Sequence, residues 1–398
     1  MSRESMNAAR SKNALYYGDN LDVLRRYVAD ESVDLVYLDP PFNSDQDYNV
    51  LFEERDGSRA AAQIQAFRDT WRWDQTAARS YVEVVEAGGA LSRAIQGLRT
   101  FLGENDVLAY LSMMAPRLQE LRRVLKATGS IYLHCDPTAS HYLKVLMDAV
   151  FGPKRFRNEI VWHYTGWNKQ LARHFERRHD VILFYAREDN AFNSYAEPWT
   201  SKAEYVKVRK QKVHVDSDGE EYVLSDAGAG KRVRRYLQDA MEAGRPVDDV
   251  WDIDKLSSSS KERLGYPTQK PEALLERIVE ASSAPGDVVL DPFCGCGTAI
   301  VAAENLGRKW IGIDITHLAI NLIKHRLQDT FGEGIERAYE FIQEPASLPD
   351  AQALAEEDPY QFQFWALGLV KARPAEGKNG ADRGIDGRLY FHDEGNGR

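Results

Sequence analysis

Cysteine is nearly absent from this 398-residue chain, occurring only as Cys135, Cys294 and Cys296, which is too few for a disulfide framework. Cys294 and Cys296 have no second Cys or His pair at zinc-site spacing, so no metal is expected. An excess of positive charge is also missing. Against 61 Asp and Glu stand 51 Lys and Arg, a formal net charge of -10. That excludes a basic nucleic-acid coat, but not an acidic enzyme that meets DNA through local basic patches. No apolar run nears the roughly 20 residues that span a bilayer. The N-terminal MSRESMNAARSKN is polar and lacks a signal-peptide core, so the expected setting is the cytoplasm, away from membranes. Internal repeats are lacking too.

What is present is an ordinary globular balance, 43% hydrophobic and 28% charged, with length for a large core or two or three packed units. ALYYG (14–18) and VDLVYL (33–38) read as short buried strands around a helix-like DNLDVLRRYVAD. From about 60 to 127 the pattern reads as helical, clearest in VLAYLSMMAPRLQELRRVLK, with Thr128 and Gly129 expected to end the helix before a strand SIYLHCD. A helix (ASHYLKVLMDAVFG) and two strands (NEIVWHY, DVILFYA) follow. From about 190 to 262 the chain is polar, and from PEALLERIVEASS onward strands and helices alternate again. That alternation predicts a doubly wound, mostly parallel α/β sheet with ligands at the carboxyl ends of its strands.

Two stretches carry chemistry. In VVLDPFCGCGTAIVAA (288–303) a strand ends in Asp291, and Gly295 and Gly297 let the backbone approach a ligand before a helix starts near Thr298. No Gly-Lys-Ser/Thr follows, which excludes a phosphate loop, and the third glycine of the dinucleotide fingerprint is missing. About 17 residues after Gly297, WIGID ends in Asp314, placed to accept hydrogen bonds from ribose hydroxyls. The alternative is an ordinary strand–helix turn with a surface aspartate. In the second stretch, VDLVYL runs into Asp39, Pro40, Pro41 and Phe42. A bare DPP equally fits a loop in which two prolines stop a strand and the aspartate caps a turn. It also suits one chemical task. An adenine amine is conjugated to its ring and weakly nucleophilic. The Asp39 carboxylate and the carbonyl of Pro40 can both accept its hydrogens and turn its lone pair toward an electrophile. Phe42 would stack on a base flipped from the duplex.

DPPF together with DPFCGCGT resembles the amino-methyltransferases that use S-adenosylmethionine to modify adenine N6 or cytosine N4 in DNA. The likeness covers roughly residues 12–330, and the order, DPPF before the cofactor loop, is that of the circularly permuted β-class. The resemblance implies a seven-stranded Rossmann-like methyltransferase sheet with an inserted recognition region. It implies that Asp39, Pro40, Pro41 and Phe42 form the catalytic tetrapeptide. Asp291, Phe293, Gly295, Gly297 and Thr298 match the methionine-side cofactor loop. Asp314 matches the ribose-binding acid and Asp19, in GDNLDVL, the adenine contact, while Thr268, Gln269, Lys270 and Pro271 match the closing segment. Phe42 replaces the commoner Tyr, which keeps stacking and loses a hydroxyl. Cys294 and Cys296 read as small fillers. Asp at the first tetrapeptide position points to adenine rather than cytosine.

The expected division is a catalytic half (12–189, with a helical insertion at 60–127), a recognition region (190–262), a cofactor half (263–343), and a linker with a tail (344–398). Basic residues cluster in and beside the recognition region at Arg173, Arg177 and Arg178, at Lys207, Arg209 and Lys210, and at Lys231, Arg232, Arg234 and Arg235. Each cluster alone reads as a solvated face; together, in that place, contact with the phosphates of double-stranded DNA is expected. Trp162, Trp167 and Trp199 are candidates to stack or wedge at a flipped base, Trp162 being better read as core. His134 and Asp136, in LHCD, read equally as active-site neighbours or strand-end residues. In the tail, GADRGIDG resembles the front half of an Mrr-like restriction nuclease, where Asp386 would bind a divalent metal; the second acid and the lysine of that core are missing, so no cleavage by this chain is expected. The rival readings are cytosine-N4 methylation and a modification or recognition subunit that needs a restriction partner; a nicotinamide dehydrogenase is a remote third. A homodimer is an option that nothing in the sequence demands.

Overall fold

A computed structural model describes residues 12–41, 46–53, 59–69, 72–166, 173–228, 230–342, 348–370, 372–374 and 387–388. Phe42, Trp167 and Asp386 lie outside the described residues. The chain opens with β1 (Asn13–Tyr17), α1 (Asn20–Tyr27) and β2 (Val33–Leu38), then the antiparallel pair β3 (Gln46–Glu53) and β4 (Arg59–Asp69). Three helices follow, α2 (Gln75–Ala87), α3 (Gly89–Leu102) and α4 (Asp106–Val124), and then β5 (Leu125–Cys135), α5 (Pro137–Phe151), β6 (Phe156–His163) and β7 (His179–Ala186).

A small subdomain comes next. It holds β8 (Ala196–Glu197), α6 (Lys202–Arg209), β9 (His214–Val215), β10 (Glu221–Asp226), β11 (Arg232–Tyr236), α7 (Leu237–Glu242) and β12 (Arg245–Pro246). Its own core is Trp199, Tyr205, Val223, Leu237 and Ala240. The short β13 (Val250–Asp252) leads back to α8 (Glu272–Ser282), β14 (Val288–Asp291), α9 (Thr298–Asn305), β15 (Lys309–Asp314), α10 (His317–Phe331), β16 (Tyr339–Ile342), α11 (Leu348–Glu357) and α12 (Pro359–Leu369).

The central sheet has the order β13-β6-β7-β5-β2-β14-β15-β1-β16. All its pairings are parallel except those of β7, which runs against β5 and β6. It therefore has nine strands where seven were expected; the three-residue β13 and the four-residue β16 cover its two edges, where unpaired backbone would otherwise face solvent. Alternate residues of β2 face opposite layers. Val36 and Leu38 pack with α4 and α5 residues such as Leu111 and Leu146, and Leu35 and Tyr37 with α8 and α9 residues such as Leu275 and Ile300. A strand covered on both faces has to be apolar throughout, which is why VDLVYL reads as a continuous run.

The helical pattern expected from 60 covers only α2 to α4, because Arg59–Asp69 is a strand paired with β3. Nor do Thr128 and Gly129 end the helix. It stops at Val124, and both residues lie inside β5. Between the pairs Val33–Leu125 and Leu35–Ser130 the register shifts, so β5 bulges over Lys126–Gly129, and Lys126 pins the bulge to Asp34 at 2.7 Å.

Since every strand but β7 points the same way, the segments after β1, β2, β5, β6, β13, β14 and β15 emerge at one edge of the sheet. The antiparallel β7 brings its first residues, including Asp180, to that same edge. Among the described residues no helix is long and apolar enough to cross a membrane.

Candidate active site

At that edge lies a cavity of about 600 Å³. Its lining brings together Asp19, Asp39, Pro40, Pro41, Thr268, Gln269, Lys270, Asp291, Phe293, Gly295, Thr298 and Asp314, residues separated by up to 295 positions in the sequence. Gly297 sits just behind the lining and Pro271 is buried at the start of α8.

The glycine-rich turn is built from its own backbone. Cys294 N–H donates to Ile313 O (3.0 Å) and Gly297 N–H to Cys294 O (2.7 Å), joining the turn to β15. Gly295 and Gly297 have φ of +49° and +77°. A Cβ on Gly297 would also stand 2.9 Å from Ile323, so this position excludes side chains both by backbone conformation and by space. Asp291 accepts from Phe293 N–H at 3.0 Å, and burial pushes its carboxyl well above the ordinary range. Asp314 accepts from Gly295 N–H, Thr316 N–H and the Thr316 hydroxyl, each at 2.9 Å. Burial outweighs these bonds and raises its carboxyl to about 6. Cys294 and Cys296 are buried free thiols, and burial pushes both upward, as suits fillers rather than nucleophiles.

Arg117, from the middle of α4, was not legible as a site residue. Its guanidinium donates to Asp19 Oδ2 (2.7 Å), Asn20 Oδ1 (2.6 Å) and Met113 O (2.9 Å). Asn20 donates in turn to Pro292 O (2.8 Å), so Arg117 locks the loop after β1 to the glycine-rich turn. Asp19 meanwhile caps α1 by accepting from Leu21 N–H (2.7 Å).

The closing segment is fastened at both ends. Gln269 accepts from Leu264 N–H and donates to Glu262 O, both at 2.8 Å. Lys270 reaches across the cavity and pairs with Asp39 Oδ2, while also donating to Thr268 O at 3.3 Å. The other oxygen, Asp39 Oδ1, is buried without a hydrogen-bond partner among the described residues. Around it stand Tyr37, Asp136, Trp162, Asp180 and Lys255, all lining the cavity, with Lys255 lying 3.7 Å above the Tyr164 ring. Burial lowers the Lys255 ammonium from its usual range. Asp180 and Lys255 carry no local motif and were missed from the sequence. Asp136 caps α5 through Thr138 and Ala139 N–H, so it holds a helix as well as bordering the cavity.

Of the three candidate tryptophans, the two among the described residues are not free to wedge into a duplex. Trp162 is buried and donates to Ile253 O (2.7 Å), and Trp199 lies in the subdomain core. None of the ten basic residues lines the cavity. Lys207, Arg209, Lys210, Lys231, Arg232 and Arg234 are exposed on the subdomain, with Arg235 half-buried. Arg173 and Arg177 are exposed beside the start of β7, where Arg178 pairs with Glu176 at 2.8 Å. Between them Phe175 is 96% exposed.

Residues 33–325 match the family model described as N6_N4_Mtase, DNA methylase. The type II methyltransferase M.HpaI of Haemophilus parainfluenzae is 32% identical over 223 residues, 56% of this chain and 60% of that protein. The DNA adenine methyltransferase YhdJ of Escherichia coli K12 is 26% identical over 313 residues, 79% and 82% of the two chains. The StyLTI Mod subunit, from a type III restriction-modification enzyme of Salmonella typhimurium, is 26% identical over 359 residues, 75% of this chain and 51% of that one. The chain thus spans between half and four-fifths of the length of these relatives. Among solved structures, the M1.HpyAVI–SAM complex aligns with 79% of this chain and 99% of its own at 16% identity (TM-score 0.39). The cytosine-N4-specific PvuII DNA methyltransferase aligns with 92% and 94% at 14% identity (TM-score 0.43). A strand-end carboxylate and a glycine-rich turn facing one cavity, within a match of 293 residues, place this chain in the N6/N4 DNA methylase family.

Proposed function

We propose that the chain transfers a methyl group from S-adenosylmethionine to adenine N6 in double-stranded DNA, with the target base flipped into the cavity. The observation that carries this reading is the meeting of Asp39 and the Asp291–Gly297 turn in one cavity. S-adenosylmethionine supplies a methyl group on an electrophilic sulfonium. The residues present fit it: a turn open to close backbone approach, and Asp314 on the next strand to accept from ribose hydroxyls. Asp19 borders the adenine end, held there by Arg117, and Thr268, Gln269 and Lys270 close over the site.

Lys270 occupies Asp39 Oδ2, so Oδ1 is the oxygen left to accept from an incoming amine. Hydrogen bonds to Oδ1 and to the Pro40 carbonyl draw the amine out of conjugation and aim its lone pair. Phe42 is assigned to stacking by its place in the tetrapeptide. Adenine is favoured by Asp at the first tetrapeptide position and by the likeness to YhdJ; cytosine N4 is the rival base. The basic clusters on the subdomain and at 173–178 are assigned to phosphate contact. The order of the elements, β2 and its carboxylate before β14 and its turn, supports the permuted β-class. The likeness to a Mod subunit favours a second reading, a modification subunit that works with a restriction partner. Methylation by the purified chain alone argues against that dependence, and magnesium-dependent cleavage by it would overturn the expectation that this chain does not cut DNA.

The test of the mechanism is Asp39→Ala. Loss of one preorganised hydrogen-bond acceptor is expected to slow single-turnover methylation by about 10²–10³-fold while cofactor affinity is retained. Asp39→Ala methylating at the wild-type rate would overturn the assignment.

A further inference from the structure

Methyl transfer to an amine leaves one proton that needs a destination. When the amine nitrogen forms its bond to the methyl group it becomes positively charged, and one N–H bond must then break, its electron pair returning to nitrogen. Behind Asp39 lies a group suited to receive that proton. His134, at the end of β5, is 0% exposed. Its Nδ1 stands 3.9 Å from Asp39 Oδ1 and 2.9 Å from the Tyr37 hydroxyl. Its Nε2 stands 3.5 Å from Asp180 Oδ2. The Trp162 ring meets the imidazole edge-on, with centroids 5.4 Å apart.

The groups that face this imidazole come from three strands, Tyr37 and Asp39 from β2 and its tip, Trp162 from β6 and Asp180 from β7, with Lys255, from the segment after β13, behind Asp180. Asp180 is itself tied down, accepting from the Tyr164 hydroxyl (3.2 Å) and pairing with Lys255 (3.8 Å), while Lys270 stands on Asp39. Asp180 is therefore a fixed carboxylate rather than a proton store. A base backed by an orienting carboxylate, one step from the group that touches the substrate, is the arrangement by which enzymes handle a proton in a buried site.

Resting on the methyltransferase reading, we infer that His134, oriented by Asp180, receives the proton that leaves the methylated amine by way of Asp39. The amine N–H proton passes to Asp39 Oδ1, making a carboxylic acid, and then to His134 Nδ1, restoring the Asp39 carboxylate and leaving an imidazolium between two carboxylates. The Tyr37 hydroxyl, which can donate to Nδ1 beforehand, accepts from it afterwards. His134 and Asp180 are positioning residues in this scheme, acting through Asp39.

The test compares His134→Ala, His134→Gln and Asp180→Asn with the wild-type full chain, using single-turnover methylation across pH, cofactor affinity, and the fluorescence of 2-aminopurine at the target position as a report of base flipping. Gln keeps a polar group toward Asp180 but cannot take up a proton. Both His134 variants are expected to lose about 100-fold in rate with cofactor affinity and the flipping signal retained. The pH profile of the wild-type rate is expected to differ from that of both His134 variants. Asp180→Asn is expected to lose about tenfold. Restoration of the wild-type rate by Gln, or a loss that follows cofactor or DNA affinity instead of the pH profile, would overturn the relay. Should the His134 variants not fold, an unaltered rate and pH profile in Asp180→Asn overturns it. A wild-type chain that methylates nothing refutes the methyltransferase reading itself, whereas an active wild type with an unaffected His134→Gln refutes the relay alone.

Discussion

At the scale of single residues, the site depends on which oxygen of which carboxylate is already taken. Lys270 belongs to the closing segment by sequence, yet its ammonium rests on Asp39, so one side chain joins the cofactor side of the cavity to the amine side. Replacing it with Met removes the cation from a largely buried pair, a change that usually costs more than the pair contributes. Lys270→Met is expected to lower kcat about 100-fold with a smaller rise in KM for the cofactor, a split that steady-state kinetics resolves. Asp314 offers a pH test. Burial raises its carboxyl to about 6. In the ribose contact proposed for it, Asp314 is an ionised acceptor above that pH and a protonated one below it, so cofactor affinity should weaken as pH falls through 6. Titration calorimetry between pH 5 and 8 checks this, and Asp314→Asn should flatten the dependence. Asp39, Asp291 and Asp314 were legible in the sequence because each closes a contiguous strand-turn motif. Arg117, Asp180 and Lys255 were not, because they reach the cavity from separate elements and carry no local pattern; only the sheet order brings them together.

At the scale of elements, the alternation of strands and helices was legible because buried parallel strands and amphipathic helices leave different periods in the chain. RAAAQIQAFRD misled, since its Ala-rich spacing suits a helix, whereas its pairing with β3 makes it a strand. LKATG misled as a helix stop because a bulged strand also tolerates glycine; a Cβ on Gly129 would stand 2.6 Å from Leu125. The packing of α12 was not legible at all. Phe364 is buried against Tyr266, Cys296 and Leu318. Gln361 accepts from His317 N–H (2.8 Å) and Asn321 donates to Phe364 O (2.7 Å). This helix follows the family match, which ends at residue 325, yet it braces the glycine-rich turn from outside, since Tyr266 packs directly on Gly295. Phe364→Ala is therefore expected to weaken cofactor binding about tenfold, the size seen when a supporting partner of a binding group is removed, with KM for DNA little altered. A drop in DNA affinity without one in cofactor affinity would contradict that placement.

At the scale of the whole molecule, an acidic protein proposed to act on DNA has to concentrate its positive charge. The exposed Lys231 just before β11, Arg232 and Arg234 on it, and Lys207, Arg209 and Lys210 at the end of α6 belong to one subdomain with its own core, and none lines the cavity. Replacing Lys231, Arg232 and Arg234 by Ala should reduce the slope of log affinity against log salt by about 0.9 for each phosphate that the protein no longer neutralises, across target and non-target DNA alike. The nine-stranded sheet carries the cavity on one edge, and the subdomain is inserted between β7 and β13. The measurement that tests the central claim most directly is mass spectrometry of the nucleosides released from duplex DNA incubated with the purified chain and S-adenosylmethionine. N6-methyladenine is the expected product; N4-methylcytosine in its place, or no methylated nucleoside at all, would contradict the account.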